Sequence, residues 1–267
     1  MDTNKPLLPV KSDFVFRLIF GDQRNVDILG AFLMAVLDMP EEEYGSLTII
    51  DPYLKKEHTN DKYAILDIKL HTAYGSILHI EIQLRVLSDI RERTIYSQSK
   101  LVTEQMASGG KWSDIKKAIS IVITDDVFVE EGDKYHHQFR YRTRDGIELT
   151  DLTEINCLDL RKLPDEDDST DLWYWMKFIK SDNEEDMDML ASKSPQIAKA
   201  VKVLKELSAD EQTRMLYENR EMARRDYDSR VEEVERKWQG VIAEKDSALA
   251  DKDAIIAQLK AQLGKSE

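Results

Sequence analysis

A single cysteine, Cys157, stands among the 267 residues of this chain. That excludes an internal disulfide framework and suits a reducing compartment, the cytoplasm. Its setting, Ile155-Asn156-Cys157-Leu158, reads as strand core, and no nearby histidine in the sequence pairs with it, so inert packing is its expected role. Long apolar runs are also missing. The best, Ile28 to Leu37, is too short for a bilayer and suits a helix in a protein core, so no membrane partner is expected. Met1 to Val10 lacks the charged and apolar regions of a signal peptide. Positive charge is scarce: 38 Lys and Arg stand against 52 Asp and Glu, a net charge of −14. This argues against tight non-specific binding of nucleic acid through bulk charge. Any surface for a polyanion must be local. The candidates are Arg91, Arg93 and Lys100, then Lys111, Lys116 and Lys117, then Arg140, Arg142 and Arg144.

Hydrophobic content of 42% fits a globular protein able to bury a sizeable core, and charged content of 34% suggests a long solvated helix. Three regions are expected: 1–164 with strands and helices, 165–227 all helical, and 228–267 a long helix. In the first, Ser12 or Asp13 can cap a short helix through Phe20 that Gly21 ends. A buried helix follows at about 25–37, then a short strand from Leu47 to Asp51. Residues 88–107 read as a helix. Ala118 to Thr124 is a continuous apolar run, the pattern of a strand covered on both faces. His136 to Thr143 and Ile147 to Thr150, joined at Asp145-Gly146, read as a hairpin, and Ile155 to Leu160 as a last strand. Adjacent His136 and His137 would point to opposite faces, so they are not expected to ligate together. Pro164 and the acidic run Asp165 to Asp168 mark the boundary to helices at about 169–180, 183–191, 195–207 and 209 onward. Trp173, Trp175, Met176 and Ile179 are expected to pack in the core. From Val231 a heptad-like seam runs through Val234, Trp238 and Val241, shifts by about four residues, and resumes at Ile242, Leu249, Ile256, Leu259 and Leu263. Lys245 and Lys252 weaken it, but the pattern predicts a coiled coil and homo-oligomerisation.

The most informative segments are Ile65 to His71 and Ile77 to Leu84. Each alternates strictly, the signature of a half-buried strand. Leu66, Ile68 and Leu70 share one face of the first; Asp67, Lys69 and His71 share the other. Leu78, Ile80, Ile82 and Leu84 share one face of the second; His79, Glu81 and Gln83 share the other. Thr72 to Ser76, with Gly75, suits a turn. A wet hairpin face needs no function, yet Asp and Glu are both depleted in strands. Two carboxylates meeting on a rigid sheet would suit a hard cation such as Mg²⁺. For Asp67 and Glu81 to meet, paired residue numbers must sum to an even value near 148 or 150, which requires a loop of odd length.

Several stretches resemble one bacterial family in order and spacing: Lys11 to Asp22; the helix with Leu29, Phe32, Leu33 and Leu37; Ile49 to Pro52; Leu66 to Lys69; Ile80 to Leu84; the helix with Arg93 and Tyr96; Gly109-Gly110; Ile119 to Ile121; Leu172 to Lys180; and Tyr217 to Tyr227. The family is the recombination-promoting nuclease and transposase group of the PD-(D/E)XK nuclease superfamily, and the resemblance covers roughly residues 8–235. It implies an α/β fold, a restriction-endonuclease-like mixed sheet flanked by helices, and divalent-metal cleavage of DNA in the cytoplasm. Asp67 and Glu81, with the carbonyl of Ile82, would hold Mg²⁺ or Mn²⁺. The superfamily's lysine falls at Gln83, which can orient a water but supplies no charge. Lys69, on the same expected face, could supply it. Asp13 is a candidate further acid, and Arg93, Tyr96 and Lys100 are candidates to hold DNA. The function implied is a metal-dependent DNA endonuclease linked to recombination or transposition. The alternatives are a catalytically inactive interaction protein assembling through its helical tail, and a transposase performing strand transfer.

Overall fold

The computed structural model describes residues 6–50, 68–84, 89–106 and 109–263. They contain two compact units, Met1–Arg214 and Met215–Glu267. The first is built on a mixed six-stranded sheet of order β1-β2-β3-β4-β6-β5. Its strands are β1 (Thr48–Ile50), β2 (Ile68–His71), β3 (Ile77–Gln83), β4 (Ala118–Thr124), β5 (His136–Arg140) and β6 (Thr153–Asp159). The long isoleucine run is β4, buried at every position as a strand covered on both faces must be.

β2 and β3 pair antiparallel, with Ile68 opposite Ile80, Lys69 opposite His79 and His71 opposite Ile77. Every pair sums to 148, the even register that alternation required. The loop 72–76 has odd length, and Gly75 takes φ 87°, a conformation a side chain rarely adopts. Lys69, His79 and Glu81 therefore share a parity, and Ile68, Leu70, Leu78, Ile80 and Ile82 share the buried one. Asp67 lies outside the described residues.

β3 and β4 run parallel, so the chain must cross between them, and helix α3 (Ile90–Thr103) makes the crossing. It covers the face that presents Ile77, Ala118, Val122 and Cys157, which cluster with Ile90 and Leu101. On the opposite face lie α1 (Asp13–Phe20) and α2 (Val26–Val36). Gly21 ends α1 through close approach rather than a left-handed turn: its φ is −93°. A Cβ there would stand 2.7 Å from the Arg17 carbonyl oxygen and 3.5 Å from Ile68 Cγ1. Ser12 holds the N-cap position without a side-chain bond; the Asp13 carboxylate instead accepts from the Phe14 N–H at 2.7 Å.

The acidic run after Pro164 marks a change from sheet to helices inside this unit. There α4 (Asp171–Lys180), α5 (Glu184–Ala191) and α6 (Pro195–Ala209) begin behind side-chain caps from Thr170, Asn183 and Ser194. α4 and α6 pack on α2. Trp175 lies edge-on to Phe20 and Phe32, with ring centroids 5.8 and 6.2 Å away, and Phe16 stacks on Phe20 at 4.6 Å. Each such pair adds roughly 0.5–1.5 kcal/mol beyond its buried area, so the two ends of this unit are fastened through one aromatic cluster. Trp173 and Trp175 are core residues, as their spacing suggested.

One expectation changes. Ile147 to Thr150 forms no strand: a single bridge, Arg142 with Glu148, follows β5, which pairs instead with β6. Exposed Ile147 and Leu149 have no covered face to hold a longer ladder. The second unit is formed by α7 (Glu211–Leu263), a 53-residue helix that begins in the first unit. On it Val231, Val234, Trp238, Ile242, Leu249 and Ile256 are exposed. No helix among the described residues is long and apolar enough to cross a membrane.

Candidate active site

The side chains of His79, Glu81 and Gln83 face the α3 side of the sheet, where β4 sets Val122 beside Glu81 and Thr124 beside Gln83. Glu81 is only 7% exposed, and Gln83 is half-buried at the carboxyl end of the strand. The N-terminal half of α3 brings Arg93 to this point, with Nη2 3.6 Å from Glu81 Oε1. Two residues earlier on the same helix, Arg91 donates to the Phe128 carbonyl oxygen at 2.9 and 3.3 Å. Positions two apart lie about 200° apart around a helix, so the two guanidiniums serve opposite flanks of α3. A cleft of about 380 Å³ on the Arg91 flank, lined by Ile95, Phe128, Phe139, Tyr141 and Ile155 among others, has none of Glu81, Gln83 or Arg93 in its wall.

The structure brings Glu81 and Arg93 together and keeps Gln83 on their face. Lys69 shares that face, but its ammonium donates to Glu104 at 2.8 Å. This bond, chiefly, holds the Glu104 carboxyl below its ordinary range. Tyr96 and Lys100 are exposed on α3, with Lys100 Nζ 5.3 Å from the Tyr96 ring centre. Asp13 is exposed at the start of α1. Ile82 is buried on the opposite parity from Glu81. Among the described residues no cluster of three or more His, Cys, Asp or Glu could hold a metal ion; Asp67 is outside them. The donors present are still of the right kind. A carboxylate and a main-chain carbonyl are hard oxygen ligands, the set that Mg²⁺ and Mn²⁺ take.

Sequence reasoning missed a second buried carboxylate. Glu154, on β6, is 2% exposed. Gln138 and Asn156 donate to its Oε1 at 2.7 and 2.8 Å. Arg140 Nη2 lies 2.8 Å and Lys117 Nζ 3.1 Å from its Oε2. Burial alone would raise its pKa; the Asn156 bond and the Lys117 charge, among other donors, outweigh burial and hold it below the ordinary value. Arg140 and Lys117 therefore serve the interior rather than a polyanion, because a buried carboxylate needs a counter-charge. Asp159, at the end of β6, was also passed over. It is 2% exposed, burial raises its pKa, and its Oδ2 has no hydrogen-bond partner. An acid ending an apolar run was the available signal. His136 and His137 do diverge, one to Asn156 and the other beside Phe139. Burial pushes the Cys157 thiol up to about 12, so it is inert as expected.

A mixed six-stranded sheet with helices on both faces is an α/β architecture consistent with a nuclease-like fold. The chain belongs to the PD-(D/E)XK nuclease family transposases, whose family model matches residues 10–234. Comparison with curated proteins and with solved structures found no match.

Proposed function

We propose that the protein is a DNA endonuclease that requires Mg²⁺ or Mn²⁺. The observation that carries this reading is Glu81: a carboxylate in a central strand, 7% exposed, with a guanidinium 3.6 Å away. Burying such a group is unfavourable unless cations compensate it, and the residue sits where the family's acid is expected. Asp67, one residue before the first described pair of the β2–β3 ladder, is its proposed partner, with the Ile82 carbonyl as a third ligand. When bound, the metal supplies Lewis-acid polarisation of the phosphate and a lowered pKa for water. The chain's own work is to position. Gln83 orients the attacking water through its amide. Arg93, Tyr96 and Lys100 hold the phosphate backbone along α3, and Asp13 is a further acid. The water oxygen bonds to phosphorus as the P–O bond to the leaving oxygen breaks, and that oxygen takes up a proton. Lys69, engaged by Glu104, is left out of this scheme. The exposed seam of α7 supports a second element, self-association through the tail. A cytoplasmic setting agrees with the lone buried cysteine.

The test is DNA cleavage with Mn²⁺ or Mg²⁺. Glu81→Gln should lower it by about 10²–10³-fold, the usual loss for one electrostatic contributor, while stability changes by under about 1 kcal/mol. Equal cleavage by wild type and variant would remove Glu81 from the site. Separately, removing residues 228–267 should leave the first unit folded and lower the mass seen by light scattering at about tens of micromolar, the range of weak dimers. Equal subunit numbers in both forms would show that the seam stays solvated.

A further inference from the structure

Arg93 is placed as more than a contact for DNA. Its guanidinium stands 3.6 Å from Glu81 Oε1, longer than a hydrogen bond, and its side chain is 35% exposed. It is mounted on a helix beside the sheet, not within it. A charge held this way can leave without disturbing the backbone. Lys69, on the same face of β2, is fastened to Glu104 at 2.8 Å. We infer that Arg93 is the resident counter-ion of Glu81, a cation that a divalent metal must displace to bind there. This rests on the proposed endonuclease reading and adds regulation to the same site.

A carboxylate this deeply buried is stabilised by a cation nearby, and Arg93 supplies one. The same positive charge opposes a second cation within a few ångströms. Metal binding and the Arg93–Glu81 pair are therefore negatively coupled, and by linkage each weakens the other equally. Once displaced, the guanidinium is still tethered a few ångströms away, and its fork geometry suits a phosphate. The site would thus hold no exposed bare carboxylate without metal, and would present a phosphate-binding arginine only with metal. Arg93 acts as a positioning and gating group in this scheme.

The experiment is Mn²⁺ binding alone, without DNA, to the full-length protein. Free Mn²⁺ is followed by its paramagnetic resonance signal in wild type, Arg93→Gln, Arg93→Lys and Glu81→Gln. Arg93→Gln should bind Mn²⁺ about tenfold more tightly, the scale of removing a like charge within a few ångströms. Arg93→Lys keeps the charge and should stay near wild type, and Glu81→Gln should lose the site. Circular dichroism checks each fold, with Arg93→Met as the neutral variant if Gln does not fold. Unchanged or weaker binding by the neutral variant, while wild type binds through Glu81, overturns the inference and leaves the endonuclease reading standing. No Glu81-dependent binding in either protein overturns both.

Discussion

Two glutamates in one sheet, Glu81 on β3 and Glu154 on β6, are both buried and both matched with arginine, yet the matches differ in kind. Glu154 is held by side chains of its own sheet neighbourhood: Arg140 at 2.8 Å and Lys117 at 3.1 Å, themselves only 20% and 19% exposed. Glu81 meets Arg93 at 3.6 Å, on a helix flank, with 35% of the arginine side chain in solvent. The first is an ion network closed into the core; the second is a contact that can open. Burial of an acid alone does not mark a functional site. What distinguishes the two is whether the cation is locked in place by the same packing.

Breaking the locked pair should give the largest effect. Glu154→Ala strands Lys117 and Arg140 beside the interior and should cost about 3–5 kcal/mol, the usual penalty for halving a buried ion pair; urea unfolding measures it. Glu81→Gln in the same assay is the contrast, since Arg93 can turn to water. A loss there as large as at Glu154 would erase the distinction drawn between them.

A smaller, sharper effect lies in acid. The folded-state pKa of Glu154 is depressed below its ordinary 4.5, so its contribution is complete above that value. It is lost as pH falls below 4.5 and through the depressed folded value. Asp159 has the opposite sign, because burial raises its pKa and protonation favours the fold. Comparing wild type with Glu154→Gln isolates the first: the stability gap between them should narrow as pH falls below 4.5. A gap independent of pH would mean that Glu154 is not ionised in the folded protein.

Much of the scaffold was legible because it depends on local pattern. The apolar run Ala118 to Thr124 is β4 residue for residue, and strict alternation on either side of Gly75 set the β2–β3 register. The apolar face of Trp173 to Ile179 was readable as core because no dense run of basic residues interleaves with it. What stayed hidden depends on tertiary partners. Lys117 and Arg140 look like surface cations until β5 and β6 pair and bury Glu154 between them. Lys69 has the right parity to aid Glu81, but parity says nothing of Glu104, 35 residues on. Strand pattern in Ile147 to Thr150 misled because exposed apolar groups imitate a half-buried strand when no partner surface exists. The pairing of Glu81 with Arg93 followed only from seeing which flank of α3 faces β3.

The crossing made by α3 has a consequence for how the protein comes into being. β3 and β4 cannot pair by a local turn; they meet only after the chain between them has been closed through a helix, a non-local and slow event in folding. Arg93 rides on that connection, so one helix both joins the central strands and carries the guanidinium that stands 3.6 Å from Glu81.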